Sequence, residues 1–224
     1  MNNVPKKLGR PSKSDLTRAE ERFALARIAL ELIEQGGLEA LTARAVAERA
    51  GMSVGAVYKA FGDLEALRLE ANAITMRDLR RVLEASLDRS AGAPATERLL
   101  ALADAYAGFA RLRRNAWTAM LAPRVSDTPP EMAGEIAALF GLIGGVLKET
   151  GRIPEAEIPI AVKALWASVH GMVHLGETNG LGPISPDDVP RMTRLLVTAA
   201  LRGLVGEPPP DPYRARLDGN VKDI

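Results

Sequence analysis

The chain has 224 residues, 47% apolar and 25% charged side chains, and a formal net charge of +1; this is the balance of one ordinary helical domain, or of a small domain joined to a larger one. It contains no cysteine, which excludes disulfides, thiol catalysis and cysteine-ligated metal and fits a reducing compartment. No uninterrupted apolar run reaches the ~18 residues of a membrane span, and MNNVPKKLGRPSKSD has no apolar core behind its basic residues, so neither a membrane partner nor a secretion signal is expected and the expected location is cytoplasmic.

In chain order, residues 1–13 hold Lys6, Lys7, Arg10 and Lys13 and no acidic residue. Such a block reads either as a solvated tail or as an arm drawn to polyanions. Thr17-Arg18-Ala19-Glu20 has capping-box spacing, and Phe23, Ala26, Leu30 and Ile33 then share one helical face. Gly36-Gly37 ends that helix. Thr42 starts a short helix closed by Gly51, and Ser53 starts another that ends near Phe61. Asp63 opens a long helix reaching about Arg89. After Ala91-Gly92-Ala93-Pro94, helices are expected over roughly 95–114 and around Trp117–Leu121. Thr128-Pro129-Pro130-Glu131 starts the next, stopped by Gly151. Pro154 starts another, ending near 178–180, and Ser185-Pro186-Asp187-Asp188 begins a last one that reaches about Val205, with Pro190 in its first turn allowing a slightly later true start. The proline-rich, charged segment 206–224 is expected to be disordered. Strand-like alternation is scarce, so the fold class is all-α.

Residues 42–61 form two short helices around Gly51-Met52-Ser53, the pattern of a helix-turn-helix. In that motif the second helix enters the major groove by its N-terminal end. Thr42 and Ser53, as N-caps, bring hydroxyls and helix N-termini to where phosphates would lie. Gly55 allows close backbone approach, while Tyr58 and Lys59 offer a phenol and an ammonium to phosphate oxygens. Val54 and Ala56 would face thymine methyls, Arg44 suits guanine, and Phe61 is expected to pack inward. A tight glycine turn is equally what any packed helical hairpin needs, and Arg44 reads as well as an ordinary surface arginine.

The stretch LTARAVAERAGMSVGAVYKAFGDLEAL, residues 41–67, resembles the DNA-binding region of TetR-family transcriptional regulators. Thr42, Val46, Ala47, Ala50, Gly51, Ser53, Gly55, Tyr58, Phe61 and Leu67 match that family's pattern as they stand, and the likeness covers about residues 17–70. Two positions depart from it: Leu64 stands where a basic residue is usual, and Ala60 where a histidine or other polar residue is common. Each removes a DNA contact for which the basic arm, with Arg10 in a minor groove, could compensate. The resemblance implies an arm at 1–14, a three-helix DNA-binding domain at 15–62, a helical ligand-binding and dimerisation domain at 63–205 and a tail at 206–224. It implies a regulator, read here as a repressor and not an enzyme. Such a protein binds a palindromic double-stranded operator as a homodimer, answers to a small-molecule effector and requires no cofactor.

In the larger half, Trp166-Ala-Ser-Val-His170-Gly171 resembles the C-terminal domain of a TetR subgroup named for its Trp-His-Gly residues. Tyr106, Phe109, Trp117, Met120, Phe140, Trp166 and His170 are candidates for an apolar effector pocket, and each alone reads equally as core. Gly171 is expected to admit a neighbouring helix. Val162, Leu165, Val169, Leu195, Val197, Leu201 and Leu204 are candidates for a dimer seam. His170, His174 and Glu177 share a face at i, i+4, i+7, which leaves open a metal-binding or enzymatic bundle, although no metal is expected. A helical protein-binding adaptor is a third reading.

Overall fold

The computed structural model describes residues 13–123, 128–178 and 184–205, and among these nine α-helices and two short 3₁₀ turns carry the chain with no strand. The helices are α1 (Lys13–Gly36), α2 (Ala43–Ala50), α3 (Val54–Phe61), α4 (Leu64–Arg89), α5 (Ala95–Leu112), α6 (Arg114–Leu121), α7 (Pro130–Glu149), α8 (Ile158–Thr178) and α9 (Val189–Val205). Most boundaries follow the capping chemistry of the sequence. The Thr42 and Ser53 hydroxyls accept hydrogen bonds from the N–H groups of Ala45 and Ala56, at 3.1 and 3.2 Å, and Asp63 accepts from Ala66 at 2.7 Å. Gly37 (φ 73°) and Gly51 (φ 65°) adopt the left-handed backbone that lets α1 and α2 stop sharply.

The described residues form two compact units. One contains the chain up to Leu79 together with Leu112–Glu135, so that α6 and the first turns of α7 join the N-terminal helices. Its core is built from Leu25, Ala26, Ala29, Leu30 and Ile33 of α1, Val46 and Ala47 of α2, Val57 and Phe61 of α3, Leu67, Ala71 and Ile74 of α4, and Ala116 and Ala119 of α6.

Polar groups at the ends of α6 complete this packing. Arg113 donates to Glu34 at 2.6 Å and Asp78 at 2.8 Å, and Asn115 donates to the Glu34 carbonyl at 3.0 Å, near the end of α1. At the other end, buried Arg68 and Asn72 of α4 both donate to the Ala119 carbonyl, at 3.2 and 3.1 Å. Arg68 also reaches the Pro123 carbonyl and is ion-paired with Glu65 at 2.5 Å. The last carbonyls of a helix have no partner within it, and these side chains supply one.

The second unit holds Arg80–Arg111 and the described residues from Ile136 onward. Buried Leu83, Leu99, Leu102, Ala103, Tyr106 and Phe109 provide one part of its core; Val146, Leu147, Val162, Leu165, Val173, Val197 and Leu201 provide the other. Ser86 donates to the Ala101 carbonyl at 2.9 Å, Arg98 pairs with Glu149, and α8 packs extensively on α9. At Gly176 a Cβ atom would lie 2.8 Å from Val189 Cγ2, so a side chain there would force the end of α8 from the start of α9.

Several expectations are corrected. Helix α1 begins at Lys13, not at a Thr17 cap, because the helix continues N-terminally by a turn. Phe23 is 50% exposed, while Ala26, Leu30 and Ile33 of the expected face are buried and Leu25 and Ala29 join them. The segment after Pro154 first makes a 3₁₀ turn, with α8 starting at Ile158. Ser185 donates through both its N–H and its hydroxyl to Asp188 in the turn that precedes α9, and the helix starts at Val189, the later of the two starts that Pro190 allowed. The close approach falls at Gly176, since nothing lies within 4 Å of a Cβ at Gly171. Val162, Leu165, Val197 and Leu201 are buried within the chain, so they leave only Val169, Leu195 and Leu204 of the expected seam partly or fully exposed. Two helical stretches, Pro130–Glu149 and Glu155–Thr178, have the length and composition to cross a membrane, a property they share with helices of folded domains, and this overturns no expectation. The expected tail at 206–224 lies outside the described residues.

Trp117 is fully buried, so Trp117→Ala should leave a cavity and cost about 3–5 kcal/mol, measured by chemical denaturation. Trp117→Phe should recover most of that loss.

Candidate DNA interface and ligand site

Helix α3 has eight residues, and its sequence divides it by face. Val57 (2% exposed) and Phe61 (8%) sit in the core, while Val54 (39%) and Tyr58 (46%) point outward. Ser53, Gly55 and Lys59 are also exposed and Ala56 is half-buried. Thr42 and Arg44, at the start of α2, are exposed as well. The residues expected at a nucleic-acid surface therefore share an outward position on two adjacent short helices, and the residue expected inside is inside. The N-terminal end of α3 carries the Ser53 capping hydroxyl, which accepts from the Ala56 N–H, beside a helix terminus whose dipole suits an anion. Lys13 begins α1, whereas Lys6, Lys7 and Arg10 lie outside the described residues.

The C-terminal end of α3 is held by a residue that carried no signal in the sequence. Arg22 of α1 donates to the Ala60 carbonyl, pairs with Glu70 of α4 and places its guanidinium 4.2 Å from the Phe61 ring centroid. Next to Phe23 on a helix rich in charge, it reads in the sequence as any surface arginine.

In the second unit the expected pocket residues are partly assembled. Trp166, His170 and His174 fall at intervals of four on α8 and stack as a ladder: centroids are 4.9 Å apart for Trp166–His170 and 6.0 Å for His170–His174. Phe140 of α7 packs at a tilt against Trp166, with centroids 5.4 Å apart. Tyr106 of α5 lies with its hydroxyl 2.7 Å from His170 Nδ1, and it donates there when the neutral ring carries its proton on Nε2. Phe109 is buried on the same helix. Trp117 and Met120 do not join this group; both are buried on α6, in the other unit. A cavity of 480 Å³ in the N-terminal unit is lined by Arg22, Leu69 and Met132 with the carboxylates of Asp63, Glu65 and Glu70, and none of the expected pocket residues lines it.

Glu177 faces Arg111 at 3.6 Å rather than joining the two imidazoles, and among the described residues no three His, Asp or Glu side chains converge as metal ligands.

Among the described residues, whose regular elements are all helical, two short helices around a tight turn present α3 outward, the arrangement of helix-turn-helix DNA-binding regulators. Two family profiles match and together span most of the chain: "Bacterial regulatory proteins, tetR family" over residues 27–71 and "Tetracyclin repressor-like, C-terminal domain" over residues 99–200. The chain belongs to the TetR family of transcriptional regulators, whose members are DNA-binding regulators and not enzymes. No curated protein is a significant match. Among solved structures, a protein of unknown function from Rhodococcus sp. RHA1 is 24% identical with a TM-score of 0.66, covering 91% of this chain and 100% of its own. A TetR transcriptional regulator from the same organism is 18% identical with a TM-score of 0.62, covering 84% and 98%. The TetR-family regulator PfmR from Thermus thermophilus is 22% identical with a TM-score of 0.55, covering 80% and 98%. At these identities the likeness carries the fold.

Burial, and secondarily the charge of His174, hold the His170 imidazole below its ordinary range. The folded state thus binds fewer protons than the unfolded chain, in which histidine titrates at about 6.5. The stability that accompanies the neutral ring is present above that value and declines as pH falls through it. Denaturation midpoints measured between about pH 7.5 and pH 5.5 should fall, and His170→Asn should flatten the decline; an equally steep profile in the variant would assign the loss elsewhere.

Proposed function

We propose that this protein is a ligand-responsive transcriptional repressor that binds a palindromic operator as a homodimer and releases it on binding a small, largely apolar effector. The observation that carries the reading is the outward-facing start of α3, where Ser53, Val54, Gly55, Tyr58 and Lys59 are all exposed above a core-anchored Phe61. Tyr58, Lys59, Thr42 and Ser53 would hold phosphates, Val54 and Ala56 would meet thymine methyls, and Arg44 would read a guanine. Lys6, Lys7, Arg10 and Lys13 would follow the backbone or enter a minor groove.

The exposed faces of α8 and α9 support a homodimer. Ile160, Ala164, Ala167 and Ser168 line one side of α8, and Leu195 and Ala199 one side of α9. Small and apolar side chains left in water along two adjacent helices are what a self-complementary helical interface buries. The ladder of Phe140, Trp166 and His170, with Tyr106 hydrogen-bonded across it, supports an effector site that pairs an aromatic wall with one polar contact. The Trp166, His170 and Gly171 element is also the basis for placing the chain in the Trp-His-Gly subgroup. Helix α5 carries Tyr106 and leads through Arg113 alone into α6, so an effector that displaces Tyr106 would bias the state of α6 and, through it, the spacing of the two recognition helices.

Selection from random duplexes with the full-length protein should recover an inverted repeat with half-sites about one helical turn apart. A protein that ignores every duplex at low ionic strength without effector would overturn the reading. Alanine at Tyr58 and Lys59 should weaken binding to all sequences alike, whereas Arg44→Ala should relax preference at one base pair by about 1–3 kcal/mol. Removing residues 1–12 should lower affinity and flatten its salt dependence by up to about 0.9 per lost basic contact, read from binding isotherms at several salt concentrations; an unchanged slope would remove the arm from the interface.

A further inference from the structure

Helix α3 is anchored unevenly. Its apolar contacts, Val57 and Phe61, hold it in the core, but apolar burial is non-directional and resists a change of angle weakly. The directional contact is at its far end, where the Arg22 fork meets the Ala60 carbonyl and the Glu70 carboxylate while its plane lies against the Phe61 ring. The Ala60 carbonyl is among the last four of the helix, which have no acceptor role inside it, and a cation there also meets the negative end of the helix dipole. Three helices are thereby joined at one guanidinium: α1 provides the arginine, α3 the carbonyl and ring, α4 the carboxylate.

The side chains of Arg22 and Glu70 are 32% and 43% exposed, and an ion pair so open to water adds little to overall stability. Its leverage is geometric. At about 1.5 Å per residue α3 is roughly 12 Å long, so a tilt of about 5° at its C-terminal end moves its N-terminal end by about 1 Å. A displacement of that size is enough to spoil hydrogen bonds to base edges, whose geometry is strict, while diffuse attraction to phosphates hardly changes.

We propose that Arg22 and Glu70 are positioning residues that fix the angle of α3, and so determine how selectively the protein reads sequence rather than how strongly it is drawn to DNA. The proposal rests on the reading of α3 as the DNA-reading helix. It separates sharply from a Coulombic role: Glu70→Gln removes a negative charge, which by electrostatics alone should tighten binding to any duplex, whereas loss of the clamp should weaken binding to the preferred one. Arg22→Lys keeps the charge, but an ammonium cannot hold both acceptors in one plane against a ring.

The test uses the full-length protein, the duplex it selects from a random pool and a scrambled duplex of equal length. Glu70→Gln and Arg22→Lys should each reduce the ratio of selected to scrambled affinity by about five- to tenfold, with the salt slope on the scrambled duplex unchanged and the melting temperature close to that of the unaltered protein. A ratio that stays at the unaltered value overturns the proposal, as does a rise in affinity for both duplexes in Glu70→Gln. Parallel loss of melting temperature and of both affinities likewise overturns it, since that marks a merely structural role. If the unaltered protein selects no sequence, the reading of α3 fails first and takes the clamp with it.

Discussion

A helix of eight residues has almost no stability of its own in water, because the cost of nucleation is spread over too few hydrogen bonds. Helix α3 therefore exists only through what surrounds it: a hydroxyl cap at Ser53, a glycine exit at Gly62, and the burial of Val57 and Phe61 against α1, α2 and α4. These constraints have a directional result. The side that feeds the core is fixed by its apolar residues, and the opposite side, with Tyr58 and Lys59, is left to solvent without further design. A surface used for recognition is more precise on a regular element than on a loop, and here the element is borrowed stability turned outward.

The parts of the fold that could be read in advance share a physical character: they are local. Thr42, Ser53 and Asp63 are capping residues whose partners lie three positions away, so spacing alone placed them. Gly37 and Gly51 mark backbone conformations that other residues avoid. Burial and partnership that depend on distant chain are not written in the local sequence. Phe23 and Leu25 are near neighbours on α1, and only the position of the partner helices decides which one is covered. Val162, Leu165, Val197 and Leu201 have the periodicity of an interface, but periodicity cannot tell burial against a neighbouring helix from burial against a second copy, and in the chain they already pack inside. Trp117 and Met120 looked like companions of Tyr106 and Phe140 because all are large and apolar, yet α6 carries them into the other unit.

Arginine was the least legible residue. Arg22, Arg68 and Arg113 each join helices separated by dozens of residues in sequence, and none stands in a motif. The ladder on α8 lies between these extremes. The four-residue spacing of Trp166, His170 and His174 announced a common face, while the contributions of Phe140 and Tyr106 came from other helices. Its polar contact is the His170 imidazole, held below its ordinary range by burial and met by the Tyr106 hydroxyl.

The buried Arg68 has an evolutionary implication. Its guanidinium meets Glu65 and two backbone carbonyls, one of them shared with Asn72. Losing the arginine by itself would break the pair with the quarter-exposed Glu65 and remove a donor from two carbonyls, at about 1–3 kcal/mol for a buried acceptor left unsatisfied. Exchanging Arg68 and Glu65 together for well-packed apolar residues avoids the lone carboxylate, but it still takes the Arg68 donor from the Pro123 carbonyl and leaves Ala119 with Asn72 alone. Drift at this joint should therefore be slower at Arg68, which serves two carbonyls as well as the carboxylate, than at Glu65.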